Sequence, residues 1–243
     1  MDTYRLDLKT IEQSLRDVQR EFPKINEILQ SRRDSMTDAV IDNMLAGYTF
    51  VDRAVADGVD LFTLRHATAL LELNHIVLCG LDEQVRQEYQ AHIEATAQRF
   101  YEQEEFNIDD ILRWYYKHEK ESAWKRAAGV YVRILSQPQL YIEGNHRTGA
   151  LIMSYLLVRE GKAPFVLTVD NAQAYFDPST LIKETTKTAT TMLMKLPRMK
   201  KLFADFLRHQ THEQYVYRNV TRIDDRLSGQ DRQTLDDMYP DPP

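Results

Sequence analysis

The sequence predicts a predominantly helical, all-α protein. Only eight glycines and eight prolines occur among its 243 residues, so residues that break helices are few. Long segments repeat apolar side chains at spacings of three and four, the pattern of a helix that buries one face. Because 43% of the residues are hydrophobic, the chain can bury a large core in one domain or in a domain with an appendage.

The apolar periodicity and the helix-breaking residues predict a series of helices along the chain. Pro138 follows the helix predicted over residues 120–136 and ends it. The next helix is apolar almost all round, which is typical of the central helix of a bundle. Any strands are expected to be short. The predicted helices cover residues 4–21, 24–45, 48–56, 60–79, 82–103, 108–117, 120–136, 146–160, 171–175, 178–193 and 197–209.

The pattern divides the chain into three predicted parts. Residues 1–60 form N-terminal helices, and residues 61–210 form the core domain. Residues 211–243 become polar and finish in DDMYPDPP, a composition that favours an extended or poorly ordered tail.

The composition argues against several classes of protein. With 31 basic and 37 acidic residues, a net charge of -6 and a pI of about 5.7, the chain lacks the basic character that nucleic-acid binding needs. The single Cys79 lies in the apolar segment HIVLCG, which predicts a buried, inert thiol in a reducing cytoplasm. The N-terminus has no apolar stretch of signal-peptide length. Residues 148–158, the longest uncharged apolar stretch, are shorter than the roughly 18 residues of a membrane span, so none is expected.

The stretch QLYIEGNHRTGA, residues 139–150, places charged groups and a tight turn directly before the apolar helix. A helix N-terminus offers backbone N–H groups and the positive end of the helix dipole to an anion. The turn at Gly144-Asn145 lets these groups converge, and Arg147 adds a cation suited to phosphate oxygens. Glu143 can hold Mg²⁺, which prefers one or two carboxylates together with phosphate oxygens. The stretch therefore predicts a nucleotide-phosphate pocket.

A purely structural interpretation of the same residues remains open. In it, Glu143 caps the helix, Gly144-Asn145 makes an ordinary turn, and Arg147 is a solvated surface residue. A cation in the first helical turn opposes the helix dipole, which favours the phosphate pocket over this interpretation.

The same stretch resembles the signature of Fic-domain proteins, HxFx(D/E)GNxRxxR. The flanking segments WKRAAGVYVRILSQP and LIMSYLLVREGKAPFVL resemble the preceding helix and the following helix of the family, so the likeness covers about residues 108–182. ALLELNHIVLCG is similar to the helix ahead of the flap that docks target proteins. The matching motif positions are Tyr141, Glu143, Gly144, Asn145, Arg147, Thr148 and Gly149.

The resemblance implies an all-α, Fic-like helical bundle, with a short β-hairpin flap as an open possibility. The usual reaction of the family is transfer of AMP from ATP to a hydroxyl group of a target protein. By resemblance, Glu143 holds Mg²⁺, and the segment Gly144, Asn145, His146, Arg147 and Thr148 binds the nucleotide phosphates. The catalytic position, at which the family has a histidine base, is occupied by Gln139.

Three positions depart from the family pattern. Gln139 is neutral and cannot accept a proton, and losing a positioned general base typically costs about 10² to 10⁴ in rate. Ala150 stands at the final motif arginine, which binds distal phosphate in the family. His146 stands where adenylyl-transferring members generally have Gly; it either obstructs the anion site or supplies another phosphate contact. The Doc kinase branch has Lys at that position and also lacks the last arginine.

The segment DAVIDNMLAGYTF, residues 38–50, resembles the inhibitory helix of Fic proteins, (S/T)xxxE(G/N). Asp38 replaces Ser/Thr, Asp42 replaces Glu, and Asn43 is retained, so this is a degenerate inhibitory segment. Its expected partner, the last motif arginine, is Ala150. The alternative is that Asp38 and Asp42 are two solvated acids at helical spacing.

Three functions are compatible with these residues. The first is a divergent Fic protein that lacks standard AMP transfer but still binds ATP, another nucleotide or a phosphorylated ligand with Mg²⁺. The second is an active nucleotidyl- or phosphotransferase with altered chemistry, which uses another base or another donor. His146 is a candidate base because histidine titrates in the useful range, but its position seven residues after Gln139 argues against its reaching the same hydroxyl. The third is a non-catalytic module that binds a protein partner. A protein target and an oligomer are open in all three.

Overall fold

The two ends of the described chain, residues 3–219 of a computed structural model, are joined by a small antiparallel sheet. Strand β1 (Thr3–Leu6) pairs with strand β2 (Val216–Asn219), with Leu6 opposite Val216. The sequence predicts a helix from residue 4, and this prediction is wrong at residues 4–6, which belong to β1. Within the predicted extended or poorly ordered tail, residues 216–219 form β2. Local periodicity cannot detect a strand whose partner lies at the other end of the chain. The rest of the predicted tail, residues 220–243, lies outside the described residues.

Ten α-helices form most of the rest of the described fold, so the all-α prediction is confirmed. Short 3-10 helices at Leu64–His66 and Glu213–Tyr215 and a π-helix at Thr191–Lys195 accompany them. The helices are α1 (Leu8–Ile28), α2 (Asp38–Ala56), α3 (Ala67–Cys79), α4 (Glu83–Glu88), α5 (Gln90–Glu102), α6 (Ile108–Lys117), α7 (Ala123–Leu135), α8 (Asn145–Arg159), α9 (Ala172–Lys183) and α10 (Leu196–Gln210). Within residues 3–219, β1 and β2 form the only sheet, so no hairpin flap is present there. Within the same residues, no helix combines the length and the apolar character needed to cross a membrane.

Several predicted helix ends are wrong because tertiary packing overrides the helix breakers. Helix α1 continues through Pro23, since Phe22 and Ile25 on either side are buried against the protein. Helix α2 continues through Gly47, where the missing side chain lets Leu151 of α8 approach closely. Helix α9 continues through Pro178 and ends at Lys183, ten residues before its predicted end at 193.

Helix α8 is the centre of the bundle, as its apolar sequence predicts. Nearly all of its side chains are buried, and it packs against α7, α2 and α3. One apolar cluster joins Ile11 of α1 and Ile41 of α2 to Leu151 of α8. The N-terminal helices therefore share the core of the 61–210 segment. Cys79 is buried and has no disulfide, as predicted.

Strand β1 is fixed to the bundle by Asp52 of α2. The buried carboxylate of Asp52 accepts a hydrogen bond from the backbone N–H of Leu6 at 2.7 Å and pairs with the Arg5 guanidinium at 2.5 Å. We expect Asp52→Asn to lower the free energy of unfolding by about 1 kcal/mol, because the bond to Leu6 survives and the half-exposed Arg5 loses its counterion. Urea unfolding measures the change. Asp205→Asn, on an exposed site of α10, is the control and is expected to have no effect.

Candidate functional site

The N-terminus of α8 opens into a cavity of about 510 Å³. The loop between α1 and α2, residues 29–37, forms one wall, and side chains of α1, α2, α9 and the segment between α8 and α9 line the others. Six predicted positions line the cavity together with Ala150, whereas the predicted Thr148 does not. The six are Gln139, Glu143, Gly144, Asn145, His146 and Arg147. The predicted motif therefore gathers at one cavity of the size that small-molecule sites usually have, about 300 to 1,000 Å³.

The turn before α8 depends on Gly144 and on the buried side chain of Asn145. Gly144 has a φ of +76°, in the left-handed region that favours glycine. The Asn145 amide accepts a hydrogen bond from the Tyr141 N–H at 3.0 Å and donates one to the Tyr141 carbonyl at 2.9 Å. Asn145 thus closes the loop that precedes the helix, so its side chain shapes the site.

A second buried amide, Asn74 of α3, holds the same turn from the other side. Its Nδ2 donates to the Glu143 carbonyl at 3.0 Å and to the Thr148 hydroxyl at 2.9 Å. Thr148 is fully buried, so its contribution to the site is structural. Sequence reasoning missed Asn74, although an amide within the apolar segment ALLELNHIVLCG is an available signal.

No side chain within the described chain caps α8. Glu143 is exposed at the rim of the cavity, so the structural interpretation in which it caps the helix is wrong. The first-turn N–H groups of a helix have no intrahelical acceptor and carry partial positive charge. At this end of α8 the first-turn residues Asn145, His146 and Arg147 line the cavity.

His146 lies mostly buried inside a hydrogen-bond network at the base of the cavity. Its Nε2 is 3.1 Å from Arg33, which only donates, so Nε2 accepts and the proton lies on Nδ1. Nδ1 then donates to the Tyr131 hydroxyl at 3.2 Å, and the Tyr175 hydroxyl donates to the His146 carbonyl at 3.0 Å. Burial, followed by the nearby charges of Arg33, Lys183 and Arg147, lowers the pKa of His146 to about 3. The imidazole is therefore neutral, and its one lone pair is occupied.

Arg33 enters the cavity from the loop between α1 and α2, and sequence reasoning missed it. Its guanidinium donates to the Thr180 hydroxyl at 2.7 Å and to the Phe176 carbonyl at 3.2 Å. It also lies over the Phe176 ring, 5.1 Å from the centroid. The segment QSRRDS is polar throughout, so nothing in it distinguishes Arg33 from its neighbour Arg32.

Arg147 is partly buried, and the interpretation of it as a solvated residue is wrong. One of its terminal nitrogens donates to the Val77 carbonyl at 3.1 Å, in the last turn of α3. Burial lowers the pKa of the guanidinium, and the charge of Glu143 opposes that change. Arg147 therefore links α8 to α3 while it lines the cavity, which leaves its remaining donors for a ligand.

Gln139 lies at the edge of the cavity, in a loop whose carbonyl groups accept hydrogen bonds from Arg99 and Lys187. Its side-chain nitrogen donates to the Leu135 carbonyl at 3.1 Å, and its own carbonyl accepts from Arg99 at 2.9 Å. The buried Lys187 donates to the carbonyls of Ser136 at 2.9 Å and Pro138 at 2.5 Å. The loop is rigidly placed, but the group it presents at position 139 is an amide that cannot act as a base.

The degenerate inhibitory segment does not reach the cavity. Asp38 and Asp42 are exposed and pair with Arg16 of α1 at 2.7 and 2.9 Å. Asn43 points towards the end of α3, where it donates to the Val77 carbonyl at 3.4 Å. The face of α2 that lines the cavity carries Val40, Met44 and Tyr48 instead. The acids therefore correspond to the alternative of solvated residues, joined here to α1 by an ion pair.

The inner part of the cavity is cationic. The lining side chains Arg33 and Arg147 are partly buried, whereas the lining carboxylates Asp34, Glu143 and Glu184 are all exposed. Residues 3–219 contain no group of three or more His, Cys, Asp or Glu side chains arranged for a metal ion, so Glu143 would hold a cation only together with a ligand. A scan against protein-family models and a search of curated proteins find no match for the chain, and its function must be inferred from this geometry.

Proposed function

We propose that the chain is a divergent Fic-family protein that binds a phosphorylated small molecule, with a Mg²⁺-nucleotide such as ATP as the first choice. The observation that carries the proposal is the uncapped N-terminus of α8, which faces a cavity whose partly buried charges are both cations. Phosphate is the anion that such a combination of backbone N–H groups and guanidinium groups binds best.

The carboxylate at the rim of the cavity can hold a Mg²⁺ ion that the ligand also coordinates. Glu143 offers an exposed carboxylate, and no cation in the described chain pairs with it. Its backbone is held by Asn74, so the carboxylate starts from a fixed point beside the α8 N-terminus. Mg²⁺ bound through one carboxylate and phosphate oxygens would neutralise part of the ligand charge.

The same residues support the loss of standard AMP transfer. Gln139 supplies no base, and Ala150 presents a methyl group to the cavity where the resemblance calls for a cation. His146 is a weak replacement base, because its pKa is about 3 and its Nε2 already accepts from Arg33. These contacts favour a binding function over the alternative in which His146 acts in catalysis.

Calorimetric titration with ATP and Mg²⁺ tests the proposal. We expect saturable binding by the wild type and at least about tenfold weaker binding by Arg147→Ala, because charge-assisted hydrogen bonds to phosphate are lost. The control is Arg113→Ala, which removes the same charge from an exposed site outside the cavity. Equal affinity in wild type and Arg147→Ala, or no binding of ATP by either, would contradict the proposal. With ATP labelled at the α-phosphate, we expect no transfer of label to protein, because AMP transfer is lost.

A further inference from the structure

The backbone of Arg33 is held in place before any ligand arrives. Its N–H donates to the Asn26 side chain at 2.8 Å, and its carbonyl accepts from the same side chain at 2.9 Å. The loop is also tied to α9, since the N–H of Gln30 donates to Asp177 at 3.0 Å. These two hydrogen bonds with the Asn26 side-chain amide fix the direction in which the Arg33 side chain leaves the loop.

The charge of Arg33 has no counterion within residues 3–219. Its three side-chain contacts are to a hydroxyl, a carbonyl and a neutral imidazole, and its Nε is buried without an acceptor. A partly buried cation without an acidic partner favours an anionic ligand, because pairing offsets its partial loss of contact with water. The cavity thus contains a guanidinium whose backbone is held in place and whose hydrogen-bond partners are all neutral.

His146 does not neutralise the positive charge of Arg33, because its imidazole is neutral, so that charge is left for an anionic ligand. The imidazole gives its lone pair to Arg33 and therefore adds an acceptor, not a negative charge. Nothing else that contacts the Arg33 guanidinium is acidic, and the lining carboxylates stay at the exposed rim. Arg33 and the first turn of α8 both line the cavity, so an anion that enters it can contact both.

We infer that Arg33 is the specificity-determining residue of the cavity and binds the terminal phosphate of a small phosphorylated ligand. Its Nη2 donates to the Thr180 hydroxyl and the Phe176 carbonyl, which are neutral acceptors that a phosphate oxygen can replace. A phosphate would gain a charge-assisted hydrogen bond from a planar guanidinium, which an ammonium group does not reproduce. The inference rests on the proposed function and adds to it the residue that recognises the phosphate. It also assigns a role to the loop between α1 and α2, which the motif resemblance does not include.

The test compares ATP, AMP and adenosine as probes of wild type, Arg33→Ala and Arg33→Lys by calorimetric titration with Mg²⁺ present. We expect Arg33→Ala to weaken ATP and AMP binding at least about tenfold, and Arg33→Lys to restore part of the loss, since the charge returns without the planar guanidinium group. Adenosine lacks phosphate, so its affinity is expected to be the same in all three proteins. Arg20→Ala, in which an exposed arginine of α1 is removed, is the matched control.

The outcomes separate this inference from the function on which it rests. If wild type binds ATP or AMP and Arg33→Ala binds them within about twofold, Arg33 is not the phosphate residue, although the cavity remains a phosphate site. If wild type binds neither compound, the proposed function and this inference both fail. Thermal unfolding of Arg33→Ala, which we expect to match that of Arg20→Ala within a few degrees, excludes general unfolding as the cause of lost binding.

Discussion

Replacing Gly144 by Ala is expected to lower the free energy of unfolding by about 3 kcal/mol and to abolish ligand binding. A left-handed conformation costs a residue with a side chain about 1 to 2 kcal/mol. The added methyl group would also lie 2.8 Å from Nδ2 of Asn74, which is fully buried and cannot move away freely. Displacing that amide breaks its bonds to Glu143 and Thr148, each worth about 1 kcal/mol.

Gly58→Ala is the matched control for the Gly144 variant. Gly58 has a φ of +68°, and a methyl group added there meets nothing within 4 Å. It therefore carries the backbone strain alone, and we expect a loss of only about 1 kcal/mol with unchanged ligand binding. Urea unfolding and ATP titration of both variants make the comparison. Equal losses of stability in the two variants would show that the contact with Asn74 does not hold the turn.

Acidification is expected to destabilise the protein through His146. The ordinary pKa of 6.5 falls to about 3 in the folded state. Above pH 6.5 the imidazole is neutral in both states. As the pH falls below that value, the unfolded state binds a proton that the folded state excludes, so stability declines down to about pH 3. At pH 5 the loss from this group amounts to about 2 kcal/mol, at roughly 1.4 kcal/mol per pH unit.

The measurement is the difference in unfolding free energy between pH 7.5 and pH 5 for wild type and His146→Gln. The variant has no titrating group at this position, so its decline should be smaller than that of wild type by about 2 kcal/mol. Carboxylates titrate in both proteins and cancel from the comparison. His209→Gln, at an exposed site of α10, should decline as steeply as wild type. An equally steep decline in His146→Gln would contradict the buried, neutral imidazole.

Local sequence features predicted the part of the site that one segment supplies. The spacing of apolar residues located α8, and the Gly-Asn turn placed Glu143, His146 and Arg147 beside its first turn. These features are local because a helix N-terminus is formed by residues adjacent in sequence. The resemblance to the Fic signature covers the same segment and remains a hypothesis about function.

The remainder of the site comes from contacts between distant segments. Arg33 meets His146 across 113 positions, and Asn74 meets Thr148 across 74, so no spacing rule connects them. The orientation of Asp42 is likewise a tertiary result, because Arg16 of the preceding helix attracts it away from the cavity. Helix breakers misled the prediction at Pro23 and Gly47 for the same reason, since packing of their neighbours outweighs local preference.

The pairing of β1 with β2 sets an order of events during synthesis of the chain. Leu6 leaves the ribosome 210 residues before its partner Val216. At about 5 to 20 residues per second, β1 waits on the order of 10 to 40 s with its pairing edge open to other strands. Asp52 is made only 46 residues after Leu6 and binds the backbone of β1 through it. Asp52 can therefore hold β1 against α2, and so limit its pairing with other strands, until β2 is translated.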